Sequence, residues 1–256
     1  MKKHVQQSFG TFSKTPDKNG QYRGARKGDK RNYKVRLKKG PRASERHEKR
    51  PVFASRHPIH VVVRAHEDVQ PLRRKNIYRA IRRATNVVAR RTDMRIVYYS
   101  IQNSHIHLLV EAADKTALAK GMQSFGVSAA RHINSELHLE AQARGDLGAI
   151  RRRGPVIADR YHARILKTPR EVRNCISYVM NNWRHHRADT GSRSEVDWYS
   201  SGPLFTGWQE LEGRRIKLQA GFEPLVTKAP ESWLLSVGWR KAGIVSWKEI
   251  PGPSTE

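Results

Sequence analysis

The chain holds one cysteine in 256 residues, Cys175. A single thiol excludes an internal disulfide and any zinc site built on several thiolates. Acid is scarce as well: 23 Asp and Glu stand against 50 Lys and Arg, giving a net charge of +27 and a pI near 10.9. Such an excess does not choose a fold, but it does choose partners, nucleic acid before anionic membrane. Long hydrophobic runs are missing, and none approaches the ~20 apolar residues of a membrane-spanning helix. The opening stretch MKKHVQQSFG is basic, yet no apolar segment follows that could serve as a secretory signal. No internal repeat is present. A cytosolic protein with one sizeable core plus tails, or two small domains, is expected.

Residues 1–50 carry 17 Lys and Arg against 4 Asp and Glu, with few large apolar side chains. They would bury too little to offset their ordering entropy, so a disordered basic arm is expected. Pattern begins at residue 57. HPIHVVVRAH is a β-branched run that reads as a strand ending before Pro71. Across 72–91, Ile77, Ile81, Ala84 and Val88 recur at helical steps beneath an arginine-rich outer face. MRIVYYSIQ and HIHLLVEA are extended runs parted by Asn103-Ser104, a hairpin signal. Asp114 can cap a second helix striped by Leu118, Met122, Phe125, Ala129, Ile133 and Leu137. After a basic, glycine-broken loop, VIADRYHARIL reads as a fourth strand. Thr168-Pro169-Arg170-Glu171 then opens a last helix with a capping box and an early proline. The order strand, helix, strand, strand, helix, strand, helix describes an α+β, ferredoxin-like core with one added helix. Residues 188–256 hold five of the six tryptophans. They read as an extension whose aromatics anchor it back on the core, with base-stacking platforms as the alternative.

On a strand, residues two apart share a face, so His105 and His107 project together while Ile106 and Leu108 face the other way. Two such imidazoles can share a divalent ion, although partly exposed sheet histidines would show the same spacing. His57, His60, His66 and His162 read as surface or strand residues. On the last helix Val172, Cys175, Ile176, Val179 and Trp183 form the apolar stripe. Tyr178 and Asn182 lie together on its flank, one turn apart and outside the core.

These residues carry a resemblance. His105-Ile106-His107 resembles the histidine-hydrophobic-histidine (HUH) motif, and Tyr178-Val179-Met180-Asn181-Asn182 resembles the tyrosine helix of single-tyrosine HUH transposases. Over residues 57–187 the chain is most similar to the REP-associated tyrosine transposases, with GMQSFGVSAARHINSEL and GPVIADRYHARILKTPREVRN in the expected order. The resemblance implies a ferredoxin-like HUH domain at 51–187, between the arm at 1–50 and the extension at 188–256. It further implies a cytoplasmic, nucleoid-associated and monomeric enzyme that cleaves single-stranded DNA beside hairpins and rejoins it to another end. Tyr178 matches the nucleophile, His105 and His107 the metal-binding pair, and Asn182 the polar side chain that completes the metal site. Ser104 stands where many relatives carry Asn, and Trp183 where many carry Pro, which marks a divergent subgroup.

A divalent ion held by His105, His107 and Asn182 would polarise a phosphate oxygen and stabilise charge in the transition state. Magnesium or manganese is implied by the resemblance, whereas imidazoles alone would favour zinc, nickel or cobalt. Attack by tyrosine would give a 5′-phosphotyrosine and a free 3′-hydroxyl, and the conserved ester energy would let the reaction run backwards onto a new 3′ end. Arg131, Arg151, Arg152, Arg153, Arg160 and Arg164 are the candidate phosphate contacts, taken as a patch. Three other readings compete. A non-catalytic nucleic-acid binder explains the charge but not the pairing of the histidines with Tyr178 and Asn182. Adjacent Tyr98 and Tyr99, moreover, would face opposite sides and make a poor stacking platform. A two-histidine phosphoesterase needs two separate H-x-S/T motifs, and neither His105 nor His107 is followed by one. A domesticated relative that processes host repeats has the same sequence signature as a mobile transposase.

Overall fold

The computed structural model describes residues 51–250 apart from Leu147 and Ala149. The expected arm at 1–50 lies outside the described residues. Four strands, β1 (Ile59–Arg64), β2 (Met94–Ile101), β3 (His105–Ala112) and β4 (His162–Ile165), form one sheet in the order β2-β3-β1-β4, with every pairing antiparallel. Helix α1 (Lys75–Ala89) follows β1, α2 (Lys115–Ala143) follows β3, and α3 (Pro169–His185) follows β4. The chain order and strand order are those of the split βαβ, ferredoxin-like arrangement, with α3 as the additional helix.

The period of two along each strand divides the sheet into two unlike faces. Ile59, Val61 and Val63 of β1 share one face with Ile106, Leu108 and Val110 of β3 and with Tyr99 and Ile101 of β2, and all are buried in one cluster. Helices α1 and α2 close this cluster with Ile77, Ile81, Ala84 and Val88 and with Leu118, Met122, Phe125 and Ile133, the stripes read from the sequence. Asp114 caps α2 by accepting from the amides of Thr116 and Ala117 at 2.7 and 2.8 Å. Gly121 permits the close approach of α2 to β2, because a Cβ there would collide with the Met94 side chain.

The opposite face is covered by α3 and by the C-terminal segment. Val97 and Leu109 join Val172, Cys175, Ile176, Val179 and Trp183 of α3, and Phe205, Trp208, Leu235, Trp239 and Val245 from the extension, in a second core. Helix α4 (Trp233–Ser236) and a 3-10 turn at Gly238–Ala242 lie in this extension. Glu111 at the end of β3 tethers α4's entry by accepting from the amides of Glu231 and Ser232 at 2.8 and 2.9 Å. Residues 199–201 also run along β2, with Ile101 donating to the Tyr199 carbonyl and Ser201 to that of Tyr99, so that edge of the sheet is covered. Tyr98 and Tyr99 do face opposite sides, Tyr99 in the first core and Tyr98 against the second.

The fourth strand is shorter than VIADRYHARIL suggests. With Val62 opposite His162, Ala65 would meet Asp159, yet it bridges to Ile157, so two residues loop out. The Asp159 carboxylate accepts from the Arg160 amide at 2.7 Å, turning the backbone locally away from the ladder. Among the described residues no helix is long and apolar enough to cross a membrane.

Candidate active site

The second face of the sheet carries a row of histidines where the first carries aliphatics. His107 sits near the centre of the sheet, with two small neighbours across the ladder, Val62 on β1 and Ser100 on β2. The residue is 3% exposed. His105 follows toward the hairpin turn, its ring 4.6 Å from that of His107, centroid to centroid.

Helix α3 lies over this row, and its position is fixed at both ends. At the start Thr168 accepts from the Glu171 amide at 3.2 Å and Glu171 accepts from the Thr168 amide at 3.1 Å, the reciprocal capping box expected from the sequence. At the end the Ala188 amide donates to the Trp183 carbonyl and the Arg187 amide to that of Arg184, with Arg187 at φ 53. That is a Schellman termination with arginine where glycine is usual.

Tyr178, Asn182 and His186 stand at successive turns of α3, four residues apart. The Tyr178 ring meets His107 edge-on at 5.2 Å, and the His186 ring meets His105 at 5.2 Å. Asn182 therefore lies between two contacts that fasten its helix to the two strand histidines. It is fully buried, and neither its Nδ2 nor its Oδ1 has a hydrogen-bond partner. This corrects the expectation that Asn182 lies on the flank of the apolar stripe, outside the core; it is instead buried where α3 meets the strand histidines. The Nε2 of His107 is likewise buried and unpartnered. Orphaned polar atoms of this kind cost stability and call for an explanation.

His60, read from sequence as an ordinary strand residue, belongs to the site. Its Nε2 lies 3.0 Å from Nδ1 of His107, the two rings stack at 5.2 Å, and it meets the Tyr178 ring at 5.9 Å. The contact is the diagonal one across the β1–β3 ladder, since Val62 is directly opposite His107. His186 is the second residue that sequence reading missed; its place two turns beyond Tyr178 was the available signal.

Burial drives His107 down to about 2, reinforced by the neighbouring His60, His105 and His186. Burial, then His186 and Arg64, takes His105 to about 4. Burial, then His162, Arg164 and His105, takes His60 to about 4. All three rings are neutral bases at neutral pH, the state in which an imidazole can ligate a cation.

A cavity of about 650 Å³ opens beside these rings, lined among others by His60, His107, Tyr178, His162, Arg164 and Arg170. Arg164 is thus the one arginine of the expected DNA patch that reaches the site; it is exposed and 3.4 Å from Glu171. Arg152 is committed elsewhere, to Asp68 at 2.9 Å and Asn134 at 3.0 Å. Arg151 donates to the Arg131 backbone carbonyl, and both are exposed near α2. Arg153 is exposed, and Arg160 lines a separate groove against α2. Of the six, only Arg164 lines the cavity that Tyr178 also lines.

No group of three or more His, Cys, Asp or Glu side chains with metal-holding geometry occurs among the described residues. The expected set consists of two imidazoles and an amide. An unpartnered buried Nε2 on His107 and an unpartnered buried amide on Asn182 suit a divalent ion that takes nitrogen and oxygen donors.

Residues 53–147 match the family model described as "Transposase IS200 like". That stretch contains His105 and His107 and ends before Tyr178. Among solved structures, a REP-associated tyrosine transposase bound to a REP hairpin aligns with a TM-score of 0.45 at 10% identity, covering 72% of this chain and 100% of that one. A transposase candidate from Deinococcus radiodurans R1 aligns with a TM-score of 0.33 at 11% identity, covering 57% of this chain and 92% of that one. No curated protein matches the chain.

Proposed function

We propose that this chain, IS200-like transposase in sequence across residues 53–147, is a metal-dependent endonuclease and strand transferase acting on single-stranded DNA beside hairpins, at the nucleoid. The observation that carries the reading is the pairing of two element rows: Tyr178 against His107 and His186 against His105, with the buried, unpartnered Asn182 between them. A structural packing role would leave no reason to bury three uncompensated polar atoms at one junction.

In the proposed reaction the Tyr178 oxygen attacks a backbone phosphorus. A bond forms between that oxygen and phosphorus, and the bond from phosphorus to the 3′ oxygen breaks. The phenolic proton is lost, the departing oxygen gains one, and the products are a 5′-phosphotyrosine and a free 3′-hydroxyl. Because one phosphodiester replaces another, a different 3′-hydroxyl can reverse the step and join a new end without ATP. His105, His107 and Asn182 would hold magnesium or manganese, which supplies electrophilic stabilisation of the phosphate oxygens when bound. His107 and His60 orient the tyrosine ring through their edge contacts. Arg164 and Arg170 give the adjoining cavity positive charge for the strand backbone. A single chain holds all of these groups, which supports action as a monomer.

The test is incubation of the full chain with end-labelled single-stranded hairpin DNA and manganese, followed by a denaturing gel. The wild type is expected to give a covalent protein–DNA band, and Tyr178→Phe to give none. A band that persists in Tyr178→Phe refutes the nucleophile. Absence of any adduct across hairpin substrates favours a non-catalytic nucleic-acid binder instead.

A further inference from the structure

The two strand histidines have the same ring nitrogen engaged. Nδ1 of His107 lies 3.0 Å from Nε2 of His60, and Nδ1 of His105 lies 3.1 Å from Oγ of Ser104. The partners come from different places: His60 from the neighbouring strand, 47 residues away, and Ser104 from the turn that starts β3. Two unrelated positions thus meet the same ring atom, Nδ1. What each ring has left to offer is Nε2, and on His107 that atom is buried without a partner.

The unpartnered Nε2 of His107 bears on its tautomer. A proton on Nε2 of His107 would be a buried donor with nothing to receive it, even with His60 turned donor toward Nδ1. A proton on Nδ1 is donated to His60 and leaves Nε2 as a lone pair. Metal-ligating imidazoles ordinarily donate their other N–H to a fixed acceptor, which sets ring orientation as well as tautomer.

We propose that His60 and Ser104 are positioning residues, which hold His107 and His105 with their protons on Nδ1 and so present both Nε2 atoms as bases to a divalent cation. This rests on the reading above that the histidine pair binds metal. The usual acceptors in such a role include carboxylates, whereas both partners here are neutral. An imidazole and a hydroxyl fix the rings without adding negative charge that would repel a phosphodiester. Val62, directly across from His107, is small enough to leave the diagonal path along which His60 reaches it. His60 also meets the edge of Tyr178 at 5.9 Å, so one side chain sets the ring planes of both the ligand and the phenol.

The test uses the metal-free full chain with ¹⁵N-labelled histidine. Nitrogen NMR at neutral pH reads each tautomer directly, and titration with Mn²⁺ and Co²⁺ reads affinity without any DNA reaction. His107 and His105 are expected to carry their protons on Nδ1. In His60→Leu, His107 should lose that single tautomer and metal affinity should fall about 10- to 100-fold. His60→Gln, whose amide oxygen reaches nearly the position of Nε2, should recover most of both. Ser104→Ala should act in the same direction on His105, and Ser104→Asn should recover it. Thermal melts of each variant separate these effects from unfolding. A wild-type His107 protonated on Nε2, or a His60→Leu variant with wild-type tautomer and affinity, overturns the proposal. If the tautomers are as expected but the wild type binds neither ion, the metal reading has failed rather than the hydrogen-bond pattern, and His60 then has no ligand to position.

Discussion

The two faces of the one sheet do opposite work with the same strands. On the α1–α2 side, Ile106, Leu108 and Val110 of β3 meet aliphatic stripes, and the buried Tyr99 hydroxyl is paired with that of Tyr78 at 3.0 Å. On the α3 side, one residue out of step, His105 and His107 meet Tyr178, Asn182 and His186, and several buried polar atoms go unpaired. The first face supplies stability, each buried aliphatic being worth roughly 1.5–3 kcal/mol. The second gives some up, as sites built for chemistry commonly do.

Substitutions can break this contrast. The largest expected effect is on chemistry: Tyr178→Phe should lower adduct formation about 10³-fold or more in the gel assay, with little change in melting temperature. On the histidine face, His107→Leu should lower adduct formation about 10²-fold or more while shifting stability by less than about 1.5 kcal/mol. On the opposite face, Leu108→Ala, one residue away, should cost about 2–5 kcal/mol in denaturant unfolding and leave the adduct band intact wherever the protein stays folded. If His107→Leu destabilises as much as Leu108→Ala, the division of labour between the faces is wrong.

A smaller, pH-dependent effect concerns the strap that holds α3. The Glu249 carboxylate pairs with Arg173 at 2.5 and 2.8 Å and with the Ser177 hydroxyl. Burial alone would raise its pKa, but these donors and the Ser246 amide outweigh burial and bring it below the usual carboxylate range. A depressed carboxylate contributes stability above its unfolded value, and that contribution is lost as pH falls through the folded value. Amide exchange at residues 246–249 should therefore accelerate in acid below the ordinary glutamate range, and Glu249→Gln should exchange fast at neutral pH with that step absent. The smallest effect is expected at the Schellman end of α3. Arg187→Gly removes a side chain from a left-handed position and should raise stability by about 0.5 kcal/mol after the entropy of the added glycine is counted.

Much of the frame was legible because local periodicity and end chemistry are strong there. The α2 stripe from Leu118 to Ile133, the Asp114 cap and the Thr168–Glu171 box all lie where the sequence places them. His105 and His107 share a face because strand geometry leaves no other outcome. The failures share a cause. His60 finds His107 only through the β1–β3 register, and no pattern within either strand encodes that diagonal. Asn182 looked peripheral because its burial comes from the seating of α3 on the strand histidines, which only tertiary packing creates and no periodicity within the helix encodes.

The strap across α3 bears on how a cut could be made. Arg173 holds Glu249 and the Ile244 carbonyl, Asn181 holds the Ser246 carbonyl, and Arg184 holds that of Trp247. With sheet beneath it and its own tail lashed over it, the helix bearing the phenol is kept at home. Under the proposed reaction, phenol and imidazoles would then come from one polypeptide, as the contacts of Tyr178 with His107 and His60 favour.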